Sequence, residues 1–127
     1  DFKPLARSAS KIKKTGAEPA AIALAQNPDL IATIAARRSG ALPVLVAFAL
    51  ETGDDQAILE YATKKRLAKK VDLVVANAAK DSLGRTDNRV AVVDESGATP
   101  FVSATKEALA DLVLDRVAVR LSTRLRG

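Results

Sequence analysis

Two apolar runs decide the fold: Leu42-Pro43-Val44-Leu45-Val46-Ala47-Phe48-Ala49-Leu50 and Asp72-Leu73-Val74-Val75-Ala76. Each is nearly continuous and carries β-branched residues, the first with an aromatic as well. That is the pattern of a strand buried on both faces. Between them lie a turn, Thr52-Gly53-Asp54-Asp55, and a stretch that reads as a helix over about 55–70. Strand, helix and strand joined by short loops predict a right-handed βαβ unit in a parallel sheet.

Upstream, Asn27-Pro28-Asp29 reads as a helix start. Asn27 suits the N-cap, Pro28 the first helical position, and Asp29 opposes the positive end of the dipole. That helix is expected over about 28–38, ending near Gly40. Residues 20–25 (AAIALA) read as a short strand, and 1–14 as extended or loop-like because of Pro4 and the Ser/Ala stretch. Downstream, 78–88 read as a polar loop, with Asp87-Asn88 a turn. Residues 89–94 and 99–103 read as a hairpin around Glu95-Ser96-Gly97. Thr105 then caps a last helix with Glu107 in its first turn. Leu109, Leu112, Val113, Val117 and Leu121 form an apolar stripe at helical spacing. Arg120, Arg124 and Arg126 suit that helix's negative end.

The chain has 127 residues, 48% of them hydrophobic, enough for one core and not for two. It has no Cys and no His, which excludes disulfides, thiol nucleophiles, ordinary zinc sites and His-based triads. Carboxylates, amines, hydroxyls, amides and backbone are left to do any chemistry. No run approaches the ~18 apolar residues of a membrane span. The N-terminus lacks the apolar core of a signal peptide, so the expectation is a cytoplasmic protein. Translation starts at Met and this chain starts at Asp1, so it is expected to be a processed or trimmed piece.

Charge points to the candidate site. Lys64-Lys65-Arg66-Leu67-Ala68-Lys69-Lys70 places five cations in seven residues, against a net charge of +5. The plain reading is a solvated basic face. At ~100° per residue, however, Ala57, Ile58, Leu59, Tyr61, Ala62 and Ala68 cover one broad arc, and Lys65 and Lys69 fall near its middle. Lys64 and Lys70 fall outside it. Two ammonium groups on a packing face imply either snorkelling at a helix end or a bound polyanion.

Weaker candidates surround this one. Lys11-Ile12-Lys13-Lys14, if extended, puts Lys11 and Lys13 on one face. It reads either as a phosphate-closing segment or as a charged edge strand. The Asn27-Pro28-Asp29-Leu30-Ile31 helix start offers free N–H groups for an anion, although most helix starts bind nothing. The ends of the parallel strands would place Phe48, Glu51, Thr52 and Asn77 at a ligand crevice, with Phe48 otherwise a core aromatic. Glycine-rich phosphate loops are missing: the six glycines are isolated.

In order, Asp1-Phe2-Lys3-Pro4, Lys11-Ile12-Lys13-Lys14, Asn27-Pro28-Asp29-Leu30, Ala47-Phe48-Ala49-Leu50-Glu51-Thr52, the run from Lys65 through Val71-Asp72-Leu73-Val74-Val75-Ala76-Asn77, and Asp87-Asn88 resemble the C-terminal half of bacterial phosphopantothenate–cysteine ligase. The resemblance covers about residues 1–121. It implies an α/β, Rossmann-like three-layer fold with a central, mostly parallel sheet, a C-terminal hairpin and a helix, all 127 residues forming part of one ligase domain. It also implies a role in coenzyme A biosynthesis, with CTP and Mg²⁺. 4′-Phosphopantothenate is activated as an acyl-cytidylate, and L-cysteine then displaces CMP. By motif, Asp1, Lys11, Pro28, Asp29, Leu30, Ile31, Phe48, Lys65 and Lys69 match the family's CTP-binding positions. Lys11 also matches the mobile lysine linked to conversion of the acyl-cytidylate, the one catalytic assignment. No residue matches a protein metal ligand.

The departures are as informative. Gly53 stands where many relatives carry Asn. The family's glycine-containing loop and catalytic asparagine belong to an N-terminal half that this chain lacks, and FMN belongs only to a decarboxylase domain often fused further upstream. The chain is therefore expected to start inside the ligase fold, to need that N-terminal half as partner, to dimerise as relatives do, and to be inactive alone. No membrane or nucleic-acid partner is implied. The alternatives are a non-catalytic dimerisation or nucleotide-binding fragment, and a basic nucleic-acid module. Against the last stand 3% aromatic content and the absence of a recognised motif.

Overall fold

A computed structural model describes residues 1–11, 13, 21–82 and 87–125. In chain order the elements are β1 (Phe2–Pro4), β2 (Leu24–Gln26), α1 (Leu30–Arg37), β3 (Val46–Glu51), α2 (Asp55–Lys69), β4 (Leu73–Ala78), α3 (Ala79–Ser82), β5 (Asp87–Asp94), β6 (Gly97–Ala98), β7 (Val102–Thr105) and α4 (Lys106–Leu125). The βαβ unit is there: β3 and β4 run parallel, Val46 opposite Leu73 and Glu51 opposite Ala78, with α2 between them in sequence. The sheet then turns antiparallel. β5 pairs with β4, and both β6 and β7 pair with β5. The sheet is therefore mixed: one parallel pair and three antiparallel ones among the described residues, where a mostly parallel sheet was expected. β1 and β2 form a separate antiparallel ribbon.

Helices cover both faces, giving three layers. On one face Ala35 of α1 and Ile58 and Ala62 of α2 pack on Ala47, Ala49, Val74, Ala76 and Val93. On the other, Leu109 of α4 packs on Val75 and Val90, with Val113 beside it. β4 is central, and Leu73 and Val74 are fully buried, each contributing roughly 1.5–3 kcal/mol. β3 differs from its expected double burial. Ala47 and Ala49 are buried, but Phe48 is 62% and Leu50 47% exposed. The reason is reach: the packing under α4 takes in Val46 at the start of β3 and leaves Phe48 and Leu50 on the same face open. The strand also starts four residues later than the run that suggested it, because Pro43 has no N–H for a ladder.

Helix limits follow side-chain chemistry. Asp54 caps α2 by accepting from Ala57 N at 2.8 Å, and the helix ends at Lys70 in a left-handed conformation, φ 53°. A side chain is disfavoured there and glycine is not. Lys70→Gly should therefore raise stability by about 0.5–1 kcal/mol, read as a higher melting temperature; a fall would show that the Lys70 stem contributes packing. For α1 the cap moves: Asp29, not Asn27, accepts from Ala32 N, at 3.1 Å. Asn27 is engaged elsewhere, its N–H extending the ribbon to Asp1 O at 2.9 Å. Pro28 therefore precedes the helix instead of opening it.

Other limits shift similarly. The first strand pair forms at Phe2–Pro4 and Leu24–Gln26, so the strand expected over 20–25 sits later; residue 20 lies outside the described residues, as do Ile12 and Lys14. The polar stretch 78–88 is not all loop. Ala78 ends β4, Ala79–Ser82 is helical, and Asp87 and Asn88 are ladder residues opposite Thr105 and Ala104, not a turn; 83–86 lie outside the described residues. The hairpin turns as read, with Ser96 N donating to Asp94 Oδ1 at 2.8 Å and Gly97 at φ 125°, a conformation that suits glycine. Its second arm is split into β6 and β7 around Pro100. Thr105 caps α4, accepting from Ala108 N at 3.3 Å.

The C-terminal arginines do more than oppose a dipole. Arg120 bonds Glu95 and Asp94. Arg124 bonds Asp72 Oδ1 and Arg38 bonds Asp72 Oδ2, each at 2.6 Å, and Leu45 N donates to Asp72 Oδ2 at 2.7 Å. Asp72 thus ties the ends of α1 and α4 to the start of the parallel pair. Arg126 lies outside the described residues.

Candidate functional site

The α1 start, the first half of β3 and the second half of α2 enclose a cleft of about 910 Å³. Its walls are Asp1, Gln26, Asn27, Pro28, Asp29, Leu30, Ile31, Val46, Ala47, Phe48, Lys65 and Lys69. Successive strand residues face opposite ways, so a cleft lined by Val46, Ala47 and Phe48 in a row meets β3 edge-on.

Two ammonium groups enter this cleft. Lys65 Nζ donates to Phe48 O at 2.8 Å and sits 5.6 Å from the Tyr61 ring centroid, within cation–π reach. Lys69 Nζ donates to Asp29 Oδ2 at 2.7 Å. Both are half-buried, whereas Lys64 and Lys70 are exposed. The helical wheel separates these pairs correctly. It overstates the packed arc, since Ala57, Tyr61 and Ala68 are exposed and Ile58, Leu59 and Ala62 alone face the core.

The α1 terminus supplies the remaining polarity. Ala32 N is taken by Asp29 Oδ1 and Thr33 N by Asp29 O. The N–H groups of Leu30 and Ile31 have no partner among the described residues. The hydrogen bond from Lys69, then that from Ala32 N, hold the Asp29 carboxyl below the usual carboxylate range. It is therefore ionised throughout the neutral range. Two cations, a helix start and an exposed aromatic suit an anionic ligand with a flat apolar part.

Eight of the nine sequence-derived site residues line this one cleft: Asp1, Pro28, Asp29, Leu30, Ile31, Phe48, Lys65 and Lys69. Lys11 is exposed and is not among its walls. Phe48 is not the core aromatic that the strand run suggested. Glu51, Thr52 and Asn77 do not reach the cleft, which lies beside the first half of β3 and not beyond the strand ends. Gln26, Val46 and Ala47 were missed as wall residues, since nothing in an apolar run marks which part of a strand edge stays open. Asn77 instead lines a smaller groove of about 330 Å³ against α4, with Phe48 on its rim, and its Oδ1 is buried with no partner among the described residues.

The profile of the DNA/pantothenate metabolism flavoprotein C-terminal domain matches residues 1–121. The chain belongs to that family. It is 30% identical over 131 residues to the Escherichia coli (strain K12) coenzyme A biosynthesis bifunctional protein CoaBC, an alignment covering 99% of this chain and 31% of that protein. To the protein of that name from Mycolicibacterium smegmatis it is 43% identical over 83 residues, 61% of this chain and 20% of the relative. A crystal structure of the C-terminal domain of CoaBC superposes with TM-score 0.63 at 26% identity, over 79% of this chain and 48% of that one. The DNA/pantothenate metabolism flavoprotein from Streptococcus pneumoniae superposes with TM-score 0.64 at 21% identity, covering 79% of this chain and 43% of that one, a likeness of fold. The chain thus spans between a fifth and a third of these curated relatives, and under half of the solved chains. It is a partial α/β domain of this family.

Proposed function

We propose that this chain carries the nucleotide-binding part of a CTP-dependent phosphopantothenate–cysteine ligase of coenzyme A biosynthesis. The observation that carries the reading is the convergence of Lys65, Lys69, the open start of α1 and Phe48 on one cleft. In this reading the carboxylate of 4′-phosphopantothenate attacks the α-phosphorus of CTP and pyrophosphate leaves. The amine of cysteine then attacks the acyl carbon, forming the amide and releasing CMP. Lys65 and Lys69 offset charge on the phosphoryl oxygens as it develops, the N–H groups of Leu30 and Ile31 receive an anionic oxygen, and Phe48 packs against base or sugar. Among the described residues there is no cluster of three or more metal-binding side chains. In this reading Mg²⁺ would enter on the substrate's own phosphates, and Asp1 and Asp29 are the carboxylates that line the cleft. In this reading Lys11, which stands outside the cleft walls, acts by moving to the cleft.

The remaining parts of the proposal concern partners. The ligase's N-terminal half supplies the glycine-containing loop and the asparagine; FMN belongs to a separate upstream decarboxylase. A second copy is the proposed cover for the β1–β2 ribbon, on and beside which Phe2, Leu5, Ile22 and Leu24 are exposed, because a two-stranded ribbon is marginal alone. No described helix is long and apolar enough to cross a membrane, and a cytoplasmic location is part of the proposal.

The 127-residue chain should show a melting temperature that rises with added CTP, and it should release no pyrophosphate from CTP, phosphopantothenate and cysteine. Adding the N-terminal half as a second polypeptide should start that release. A melting temperature indifferent to millimolar CTP would overturn the nucleotide assignment. Pyrophosphate release by the chain alone would overturn the division of labour.

A further inference from the structure

The cleft proposed for a polyphosphate contains a carboxylate already bonded to one of its cations. Asp29 divides its two oxygens: Oδ1 caps α1 through Ala32 N at 3.1 Å, while Oδ2 accepts from Lys69 Nζ at 2.7 Å. The two oxygens need not act together, since the cap uses only the first. Lys69 approaches from α2 on a flexible four-carbon stem, with an ammonium that offers three donors. Asp29 sits at the one place where a phosphate seated on the N–H groups of Leu30 and Ile31 would also find Lys69.

We propose that Asp29 is a place-holder: its carboxylate occupies the Lys69 ammonium while the cleft is empty and yields it to a phosphate of the incoming ligand. This rests on the polyphosphate reading of the cleft. The exchange is physically balanced. A 1– carboxylate is replaced by a more highly charged phosphate, so Lys69 exchanges a weaker partner for a stronger one. Asp29 keeps its cap bond and turns its second oxygen to water, where an exposed carboxylate is well solvated. In the free chain the pair keeps Lys69 beside the α1 start, and affinity is lower than the bare cations would give.

The test uses inorganic tripolyphosphate as probe, titrated calorimetrically into the 127-residue chain at about 0.15 M salt, where the bare repulsion between an exposed carboxylate and the probe is screened. Asp29→Asn retains an N-cap as good as aspartate and removes the competing charge, so binding should tighten about three- to tenfold. In a Lys69→Gln background the same change should gain no more than about twofold, because no ammonium remains to be freed. Unchanged or weaker binding by Asp29→Asn overturns the place-holder, as does an equal gain with and without Lys69. No binding by any variant at millimolar probe overturns the polyphosphate reading, and the place-holder with it.

Discussion

Replacing Lys65 and Lys69 together with alanine should weaken CTP binding at least about a hundredfold, because each loses a charge-assisted contact of about 1.5–3 kcal/mol. The fold should survive. Alanine is the best helix former, the two ammonium groups bond Phe48 O and Asp29 at the cleft, with the exposed Tyr61 ring beside Lys65, and neither residue belongs to the buried core. The control removes the same formal charge from the same helix: Lys64→Ala with Lys70→Gly. Both residues are exposed, so that pair should change binding by no more than about threefold at 0.15 M salt, where surface charges are screened. Calorimetric titration with CTP and Mg²⁺ reads both. Equal losses in the two double variants would reduce the basic run to a diffuse field and remove the reason for placing a nucleotide here. Salt-dependent RNA binding that survives Lys65→Ala plus Lys69→Ala, with no response to CTP, would favour a nucleic-acid module instead.

That contrast within seven residues shows what the sequence could carry. A helix fixes angles from spacing alone, so Lys65 and Lys69 could be separated from Lys64 and Lys70 before any coordinates. The parallel pair was equally legible, because burial on both faces leaves β4 almost no polar residues. What failed depended on neighbours far along the chain. Phe48 looked like core, yet whether its side of β3 is covered is decided by α4, some sixty residues on. Asn27 looked like a better cap than Asp29, yet its backbone continues the ribbon ladder opposite Asp1, at the start of the chain, and the helix begins only after Asp29. Asp87-Asn88 looked like a turn, yet β7 supplies ladder partners. The arginines of α4 suited a dipole, and nothing local showed that Arg124 meets Asp72 across 52 residues of chain.

Asp72 therefore carries the largest stability prediction. It is 6% exposed, and burial alone would push its carboxyl up. The hydrogen bonds from Arg124, Leu45 N and Arg38 outweigh that and bring it down to about 2 from 3.8. A carboxyl depressed by folding contributes stability above its unfolded value and loses it as pH falls toward its folded value. The shift corresponds to about 2.4 kcal/mol, present at neutral pH and lost between about pH 4 and pH 2. Asp72→Asn has nearly the shape of the protonated acid, so it should cost about 2–3 kcal/mol at pH 7, because two guanidinium groups then lack their shared counter-charge. Urea unfolding of both proteins across pH isolates this residue from the other paired carboxylates, which titrate in the same direction in each. The stability gap between them should shrink through the pH 4 to 2 window to under about 0.5 kcal/mol at pH 2. A gap that stays constant over that window would mean that Asp72 contributes through shape and hydrogen bonding, not through its charge. A gap below about 1 kcal/mol at pH 7 would mean that α1 and α4 are held at the head of the parallel pair by packing instead.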